Sequence, residues 1–445
     1  MERDVCDTES GFKESVLCNV FVCLQETMSA LDILTLITLY AEVVLFAYIE
    51  KKLWKTVYTP LNILMIPYAF VAAYTMLLSR SDSVADFFYP SLCIWIIGLP
   101  LFALPSWLLA LYLKKKERLS ARQTAPFKTD IPMRFMNILS ITLVGMFMLR
   151  LVYMLHTSEY AFGTDEFGNE FCGNGIWGHL HRVLHVLVIF YIYKFDKEHK
   201  YYLLILAGMF LVTFLYGVKA WIIVPFIAGM MMRIYTGKTK LKFSLILYVV
   251  LFAVAVFYIS YFLSLLIGRG DKAADVSVIA DYVLKAFNHY VISGVMGLSQ
   301  DMELGILEEP HFGYVVANVQ NLFSVITGDE IISANNEVFI NNGLTASNVR
   351  TFFGTVYINT DALQFVMMIL IYSSFSYAMM LWAQRSNSLF VNMAHFFYMA
   401  MLFMGWFDHY YFHILMFEFP FWVFAIYFSL KLLVRYGRFP KLWQQ

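Results

Sequence analysis

Charged residues are scarce in this chain. Aspartate, glutamate, lysine and arginine make up 14% of the 445 residues, whereas hydrophobic residues make up 60%. Soluble domains carry about 25% charged residues. A water-soluble core has no room for so many apolar side chains, so lipid must be the second solvent. The net charge is zero, which identifies no partner until the charges are assigned to one side of a membrane.

Several sequence signals are missing. No repeat of about 20–50 residues occurs, which excludes solenoids. Neither a phosphate-binding glycine loop, nor a dinucleotide fingerprint, nor a serine nucleophile elbow occurs, which argues against nucleotide-dependent chemistry. We therefore expect no cofactor and no nucleic-acid partner. The five cysteines show no metal-type spacing and no disulfide framework; they are Cys6, Cys18, Cys23, Cys93 and Cys172.

The N-terminal extension, residues 1–28, is mildly acidic and short of apolar runs. It lacks a basic segment followed by an apolar core, so it is not a standard signal peptide. We expect it to lie at the membrane interface as an amphipathic segment, unless translation starts at Met28.

Long uncharged runs follow this extension. A helix needs about 20 apolar residues to cross the hydrocarbon core of roughly 30 Å. Residues 243–267 and 362–383 contain no charge at all. The sequence predicts an all-α polytopic membrane protein with about eleven transmembrane helices, over residues 29–49, 58–78, 88–113, 134–156, 176–193, 201–217, 218–234, 242–267, 356–382, 389–407 and 411–432.

Lysine and arginine gather in alternate loops of this arrangement. The basic loops are 51–55, 114–134, 194–200, 233–242, the loop with Arg385, and the tail 431–441. The positive-inside rule makes this side cytoplasmic. The N terminus and the loop 157–175, which has four acids and no lysine or arginine, are then outside.

One long polar segment, residues 268–355, also lies outside. It divides eight transmembrane helices in 29–267 from three in 356–445, which end in the basic cytoplasmic tail. Its part 276–304 has apolar spacing suited to a helix lying on the membrane surface, and 328–348 is typical of an irregular loop. We interpret this external, periplasmic loop as the working segment of a membrane enzyme.

Most of the ten histidines fall near the outer face, which predicts an external site, although interfacial histidines also simply anchor helices. They are His156, His179, His181, His185, His289, His311, His409 and His413. Basic residues are few on that side, and guanidinium groups match diphosphate oxygens with two aligned hydrogen bonds. A lipid diphosphate at the outer headgroup level needs such a set, namely Lys219, Arg269, Arg350, Arg182 and Arg150.

Arg150 is a special case because it lies about two turns inside the fourth helix. An isolated cation at that depth is costly, so it is functional or paired with an acid, Glu42 or Glu418. Metal sites are disfavoured. Asp301 and Glu303 point to different faces of a helix, and no glutamate follows the histidine at 181 in a His-Glu-x-x-His pattern.

Three stretches carry a family resemblance. They are 216–225, with Lys219 at a helix start; 289–305, HYVISGVMGLSQDMELG; and 347–365, SNVRTFFGTVYINTDALQF. Together with the eleven helices, the late external loop and the scattered external arginines, they resemble the bacterial Wzy-type oligosaccharide repeat-unit polymerases, relatives of the O-antigen ligases. The chain departs from that family at Lys219, where relatives often carry arginine. Lysine meets phosphate only as a point charge.

The resemblance implies a metal-independent glycosyltransferase in the bacterial inner membrane. A glycan repeat linked by diphosphate to undecaprenol is attacked at its anomeric carbon by a sugar hydroxyl of a second lipid-linked repeat, and the lipid diphosphate leaves. A chain-length regulator protein is a further expected partner. The implied diphosphate contacts are Arg350 and Arg269, assisted by Lys219, with Arg150 and Arg182 nearby. The implied base is His289, followed by Glu303 and His311.

Three alternatives stay open at this point. An O-antigen ligase uses the same donor but transfers the finished glycan to a lipid core. A lipid-linked oligosaccharide flippase would show repeated halves and a charged central cavity, and the sequence has no matching halves. A membrane acyltransferase would place a catalytic histidine deep in the membrane, for which His199 and His395 are weak candidates.

Overall fold

The computed structural model describes residues 30–80, 84–115, 127, 133–162, 164–196, 198–268, 276–305, 311–329, 331–332 and 338–436. These residues are mostly helical. The helices are α1 Ala30–Trp54, α2 Pro60–Leu78, α3 Pro90–Lys115, α4 Met133–Thr157, α5 Asp165–Gly168, α6 Gly175–Lys194, α7 Tyr201–Leu215, α8 Ala220–Tyr235, α9 Phe243–Gly268, α10 Val276–Leu304, α11 Phe312–Val315, α12 Ala317–Thr327, α13 Phe352–Ile358, α14 Ala362–Arg385, α15 Leu389–Phe403 and α16 Leu415–Tyr436. One two-stranded antiparallel hairpin pairs β1 Ile340–Asn341 with β2 Ala346–Ser347.

Among the described residues, eight helices are long and apolar enough to cross a membrane: α1 to α4, α6, and α14 to α16. The predicted sixth to eighth spans are occupied by two shorter apolar helices, α7 and α8, and by α9 with its apolar part Phe243–Ile259. The chain is therefore an all-α, multi-pass membrane protein, as predicted. The number of eleven spans and the large external loop stay predictions.

Local sequence explains several helix boundaries. Pro60 fills the first position of α2, where its missing N–H costs nothing, and the Thr59 hydroxyl accepts a hydrogen bond from the Asn62 N–H at 3.4 Å. At α14, Asp361 and Gln364 form a reciprocal capping box. Gly217 lies between α7 and α8 with φ +83°, a conformation that glycine adopts without steric cost.

Helix α10 has the bounds expected from its apolar spacing, but its second half is not a surface element. Residues 292–300 are all buried, and the helix packs against α2, α3 and α9. A side chain at Gly294 would meet the carbonyl oxygen of Phe407, and one at Gly297 would meet that of Val349. The two glycines let this helix approach neighbouring backbone closely, so it lies inside the protein along this stretch.

Polar contacts join the loops at one end of the bundle, which we call the outer end because the basic loops lie at the other. The Phe88 N–H donates to the Ser299 hydroxyl at 2.7 Å, and the Ala85 N–H donates to the Asn342 carbonyl at 3.0 Å. The Thr351 N–H donates to the Phe407 carbonyl at 3.1 Å. Residues far apart in the chain thus form one polar layer over the helix ends.

Candidate functional site

Arg350 is enclosed by protein. Its side chain is 0% exposed and forms an ion pair with Asp301. The remaining guanidinium donors reach the backbone carbonyls of Ser347, Val349 and Val338 at 3.0–3.1 Å. The geometry gives this arginine a structural role, because a diphosphate would reach it only if the packing opened. Its predicted diphosphate contact stays a prediction, and Arg269 lies outside the described residues.

The three predicted bases lie apart from one another. His289 is half-buried, and its Nδ1 meets the Asn342 side chain, whose Nδ2 lies 3.1 Å away. Burial lowers the pKa of His289, whereas the bond with Asn342 raises it. Glu303 is exposed and accepts a hydrogen bond from Gln300 at 2.8 Å. His311 is exposed at the start of α11, so these contacts do not bring the three residues to a common point.

Arg182 is the centre of a different group of polar residues. Its Nε lies 3.7 Å from Glu418 Oε2, and the two side chains are 13% and 14% exposed. The other carboxylate oxygen of Glu418 contacts His179 Nδ1 at 2.5 Å. Nε of Arg182 is buried and, within the described residues, makes no hydrogen bond. A charged donor is thus held at the outer end with capacity for another acceptor.

Two histidines lie on the buried side of Arg182. Nη1 of Arg182 lies 3.3 Å from His181 Nδ1, so this nitrogen accepts and Nε2 carries the proton. Nε2 then donates to the Thr213 hydroxyl, which itself donates to the Met209 carbonyl. His185 stands 4.5 Å from His181 between ring centroids. Both of its ring nitrogens are buried with no hydrogen-bond partner among the described atoms, an arrangement that calls for a missing water or ligand.

Arg150 lies near this group, and its contacts differ from the predicted pairing with Glu42 or Glu418. Its Nε donates to the Phe171 carbonyl at 2.8 Å and its Nη2 to the Glu170 carbonyl, and the guanidinium covers the Trp177 ring at 4.6 Å. Backbone carbonyls and an aromatic face therefore stabilise the cation, and Glu418 pairs with Arg182 instead. Arg150 and Arg182 both act on Cys172, where burial raises the pKa of the thiol and the two cations lower it.

Aromatic rings lie next to both Arg182 and Lys219. We call Trp221, Phe257, Tyr290, Tyr410 and His413 the aromatic patch. The Arg182 guanidinium lies 5.9 Å from the Trp221 ring, and the Lys219 ammonium lies 5.9 Å from the Phe257 ring. Ring centroids are 4.6 Å apart for Phe257 and Tyr290, and 5.8–5.9 Å apart for Trp221 with His413 and with Tyr410. The two ring groups are linked by the electrostatic interaction of Tyr290 with Tyr410, so two predicted cations border linked groups of rings.

Asp408 adjoins the patch through its electrostatic interaction with Tyr410. Its Oδ1 accepts hydrogen bonds from the Thr355 hydroxyl at 2.9 Å and from the His409 N–H at 2.8 Å. Burial raises the pKa of Asp408 to about 6, although these two bonds and the charge of Arg350 lower it. A carboxyl with this pKa exchanges a proton near neutral pH.

The structure therefore divides the predicted residues into two groups. Arg350 and His289 connect α10 with the segment around the hairpin, whereas Arg182 and Lys219 border the aromatic patch. Glu303 contacts Gln300 of its own helix, and Arg150 joins Arg182 in acting on Cys172. The sequence analysis gave no role to Trp221 or Asp408, and it named Glu418 only as a possible partner of Arg150. A signal for Asp408 exists in the stretch 404–413, where one acid and two histidines stand among aromatic residues at the junction of two predicted spans.

The chain matches a family of unknown function, DUF6337, over residues 83–436. It belongs to that family. No curated protein and no solved structure matches the chain.

Proposed function

We propose that this member of the DUF6337 family is a polysaccharide polymerase that joins undecaprenyl-diphosphate-linked oligosaccharide repeat units at the outer face of the bacterial inner membrane. In the reaction, a sugar hydroxyl of the acceptor repeat attacks the anomeric carbon of the donor repeat. The bond between that carbon and the diphosphate oxygen breaks, and the diphosphate leaves with the electron pair. A chain-length regulator protein is the partner we expect in the membrane.

The observation that carries this proposal is the unsatisfied hydrogen-bonding capacity around Arg182. Its Nε and both ring nitrogens of His185 are buried without hydrogen-bond partners among the described residues. A buried polar group without a partner costs about 1–3 kcal/mol, so a site that keeps three such atoms together is suited to an incoming polar ligand. Phosphate oxygens fit a guanidinium donor well.

The other cations near the patch suit the same leaving group. Charge develops on the diphosphate as its bond to the sugar breaks, and preorganised positive groups stabilise that charge. Arg182 lies over the Trp221 ring and Lys219 over the Phe257 ring, and Arg150 acts together with Arg182 on Cys172. Trp221 and Tyr410 are themselves buried, so they form the packed aromatic wall that holds these cations in place.

The test uses the strain that carries the gene. Deletion of the gene should leave surface glycan with single repeats only, because donors are still made and exported but not joined. A strain without any surface glycan after deletion would instead indicate a flippase. Loss of all glycan on the lipid core, with polymer still made on undecaprenol, would indicate a ligase.

Complementation then tests the site. Arg182→Ala should reduce polymer formation about 100-fold or more, as expected for loss of a donor to the transition-state charge, and Arg182→Lys should restore part of it. The control is Arg385→Ala, which removes an exposed arginine at the end of α14. Protein amounts are compared by immunoblot. Full-length polymer from Arg182→Ala at normal protein level would contradict the proposed site.

A further inference from the structure

Asp408 occupies a defined position in the outer end. It lies between two short 3-10 turns, Met404–Trp406 and Tyr410–Phe412, and its N–H donates to the Met404 carbonyl at 3.2 Å. Asp408 is partly exposed as a residue, and two donors hold its Oδ1, the Thr355 hydroxyl and the His409 N–H. These bonds fix the orientation of the carboxyl.

Charged and titratable groups surround Asp408 on the elements that pack against it. Arg350 acts on it through its charge. Tyr410 of the patch interacts electrostatically with Asp408, and Tyr290 in turn interacts with Tyr410. His409 turns away, stacked on Phe352 at 4.4 Å and buried. Burial lowers the pKa of His409 to about 3, and that of His413 to about 4 with a contribution from Arg182.

These pKa values distinguish Asp408 from the two histidines next to it in the chain, His409 and His413. A general base works best when its pKa is near the working pH, and both histidines are too weakly basic. Asp408 also has the right location relative to the cation. Trp221 packs under Arg182 and against Tyr410. Tyr410 follows Asp408 by two residues, so the Arg182 cation and the Asp408 carboxylate both border the aromatic patch.

We propose that Asp408 is the catalytic base that takes the proton from the attacking sugar hydroxyl, with Thr355 as its positioning residue. This inference rests on the proposed function. The hydroxyl proton moves to a carboxylate oxygen of Asp408 while the hydroxyl oxygen bonds to the anomeric carbon. The carbon–oxygen bond to the diphosphate breaks, the diphosphate leaves as an anion, and protonated Asp408 then releases its proton to water.

The experiment uses the purified full-length protein in detergent with lipid-linked repeats extracted from the deletion strain. For the wild type, kcat/KM should rise with pH around a midpoint of about 6, since the base works when deprotonated. Asp408→Asn should lower kcat at least 100-fold with KM for the lipid little changed. Thr355→Val removes a hydrogen bond that lowers the pKa of Asp408, so its midpoint should move to higher pH.

Two controls keep the outcomes distinct. Asp361→Asn alters an exposed outer carboxyl that caps α14 and should leave rate and pH profile unchanged. Thermal unfolding of each variant shows that it is folded. A wild type that makes no polymer overturns the proposed function and this assignment together. A wild type that makes polymer, alongside Asp408→Asn of normal rate or Thr355→Val with an unmoved midpoint, overturns the assignment of Asp408 alone.

Discussion

Arg350 and Asp301 form a buried ion pair that ties α10 to the segment entering α13. The two side chains are 0% and 5% exposed, and a second contact joins Nη2 to Asp301 Oδ1 at 3.4 Å. Gly297, one helical turn before Asp301, leaves room for the arginine side chain. The pair thereby determines where Thr351 and Thr355 lie, and Thr355 in turn holds Asp408.

Breaking this pair should destabilise the protein strongly. Asp301→Ala leaves a buried, uncompensated cation, a change that typically costs about 3–5 kcal/mol. Glu303→Ala, two residues along the same helix, removes an exposed acid and should change stability by less than about 0.5 kcal/mol. Thermal unfolding in detergent compares the two. Equal melting temperatures for both variants would show that the pair contributes little to folding.

Gly294 should tolerate no side chain. Alanine there would push its Cβ against the Phe407 carbonyl oxygen, and backbone cannot yield as a flexible side chain does. We expect Gly294→Ala to cost about 1–3 kcal/mol and to lower activity by displacing the loop that carries Asp408. Gly145→Ala is the matched control, since a Cβ in α4 meets nothing within 4 Å and should stabilise by about 0.5–1 kcal/mol. Equal melting temperatures for the two variants would contradict the close approach of α10 to the Phe407 backbone.

The Glu50 carboxylate holds three helices together at the basic end of the bundle. It is 0% exposed, and it accepts hydrogen bonds from the Ser106 hydroxyl of α3 and the Tyr377 hydroxyl of α14, each at 2.7 Å. Glu50→Ala leaves both donors unpaired and should cost about 3 kcal/mol, whereas Tyr377→Phe should cost about 1–2 kcal/mol. The measurement is chemical or thermal unfolding of both variants. A Tyr377→Phe effect as large as that of Glu50→Ala would contradict the central role of the carboxylate.

The sequence predicted the helices well because long apolar runs and their polar ends define them without reference to tertiary structure. The predicted spans 218–234 and 242–267 differ by only one or two residues from Ala220–Tyr235 and Phe243–Gly268. The bounds of the helix 276–304 also agree with Val276–Leu304, but its expected position on the membrane surface was wrong for residues 292–300, because burial depends on which neighbours its glycines admit. Periodicity does not identify those neighbours.

For the same reason, the sequence did not predict which side chains pair with one another. An arginine in a polar loop has the same sequence signal whether it faces solvent, as expected of Arg350, or a buried acid such as Asp301. Glu418 was named as an acid that neutralises an arginine, and it does so, but for Arg182 rather than Arg150. The choice between these two arginines is made by the packing of α6 against α16, which brings together residues far apart in the chain.

The raised pKa of Asp408 also predicts how stability depends on pH. In the unfolded chain an aspartate has a pKa near 3.8, whereas in the folded protein burial raises that of Asp408 to about 6. The folded state therefore binds this proton more tightly, and the free energy of unfolding falls as pH rises from about 4 to about 6, by at most about 3 kcal/mol. The Asp408→Asn variant has no carboxyl at this position, so its free energy of unfolding does not fall in this way.

Melting temperatures between pH 4 and pH 8 test this dependence. The stability of Asp408→Asn relative to the wild type should increase between pH 4 and pH 6 and stay constant above that range. Asp361→Asn, at an exposed carboxyl, should run parallel to the wild type. A stability difference between Asp408→Asn and the wild type that does not change with pH would mean that the Asp408 carboxyl is ionised as easily in the folded protein as in water. We therefore expect Asp408→Asn to be more stable than the wild type at neutral pH yet inactive, because a carboxylate that serves catalysis can lower the stability of the fold.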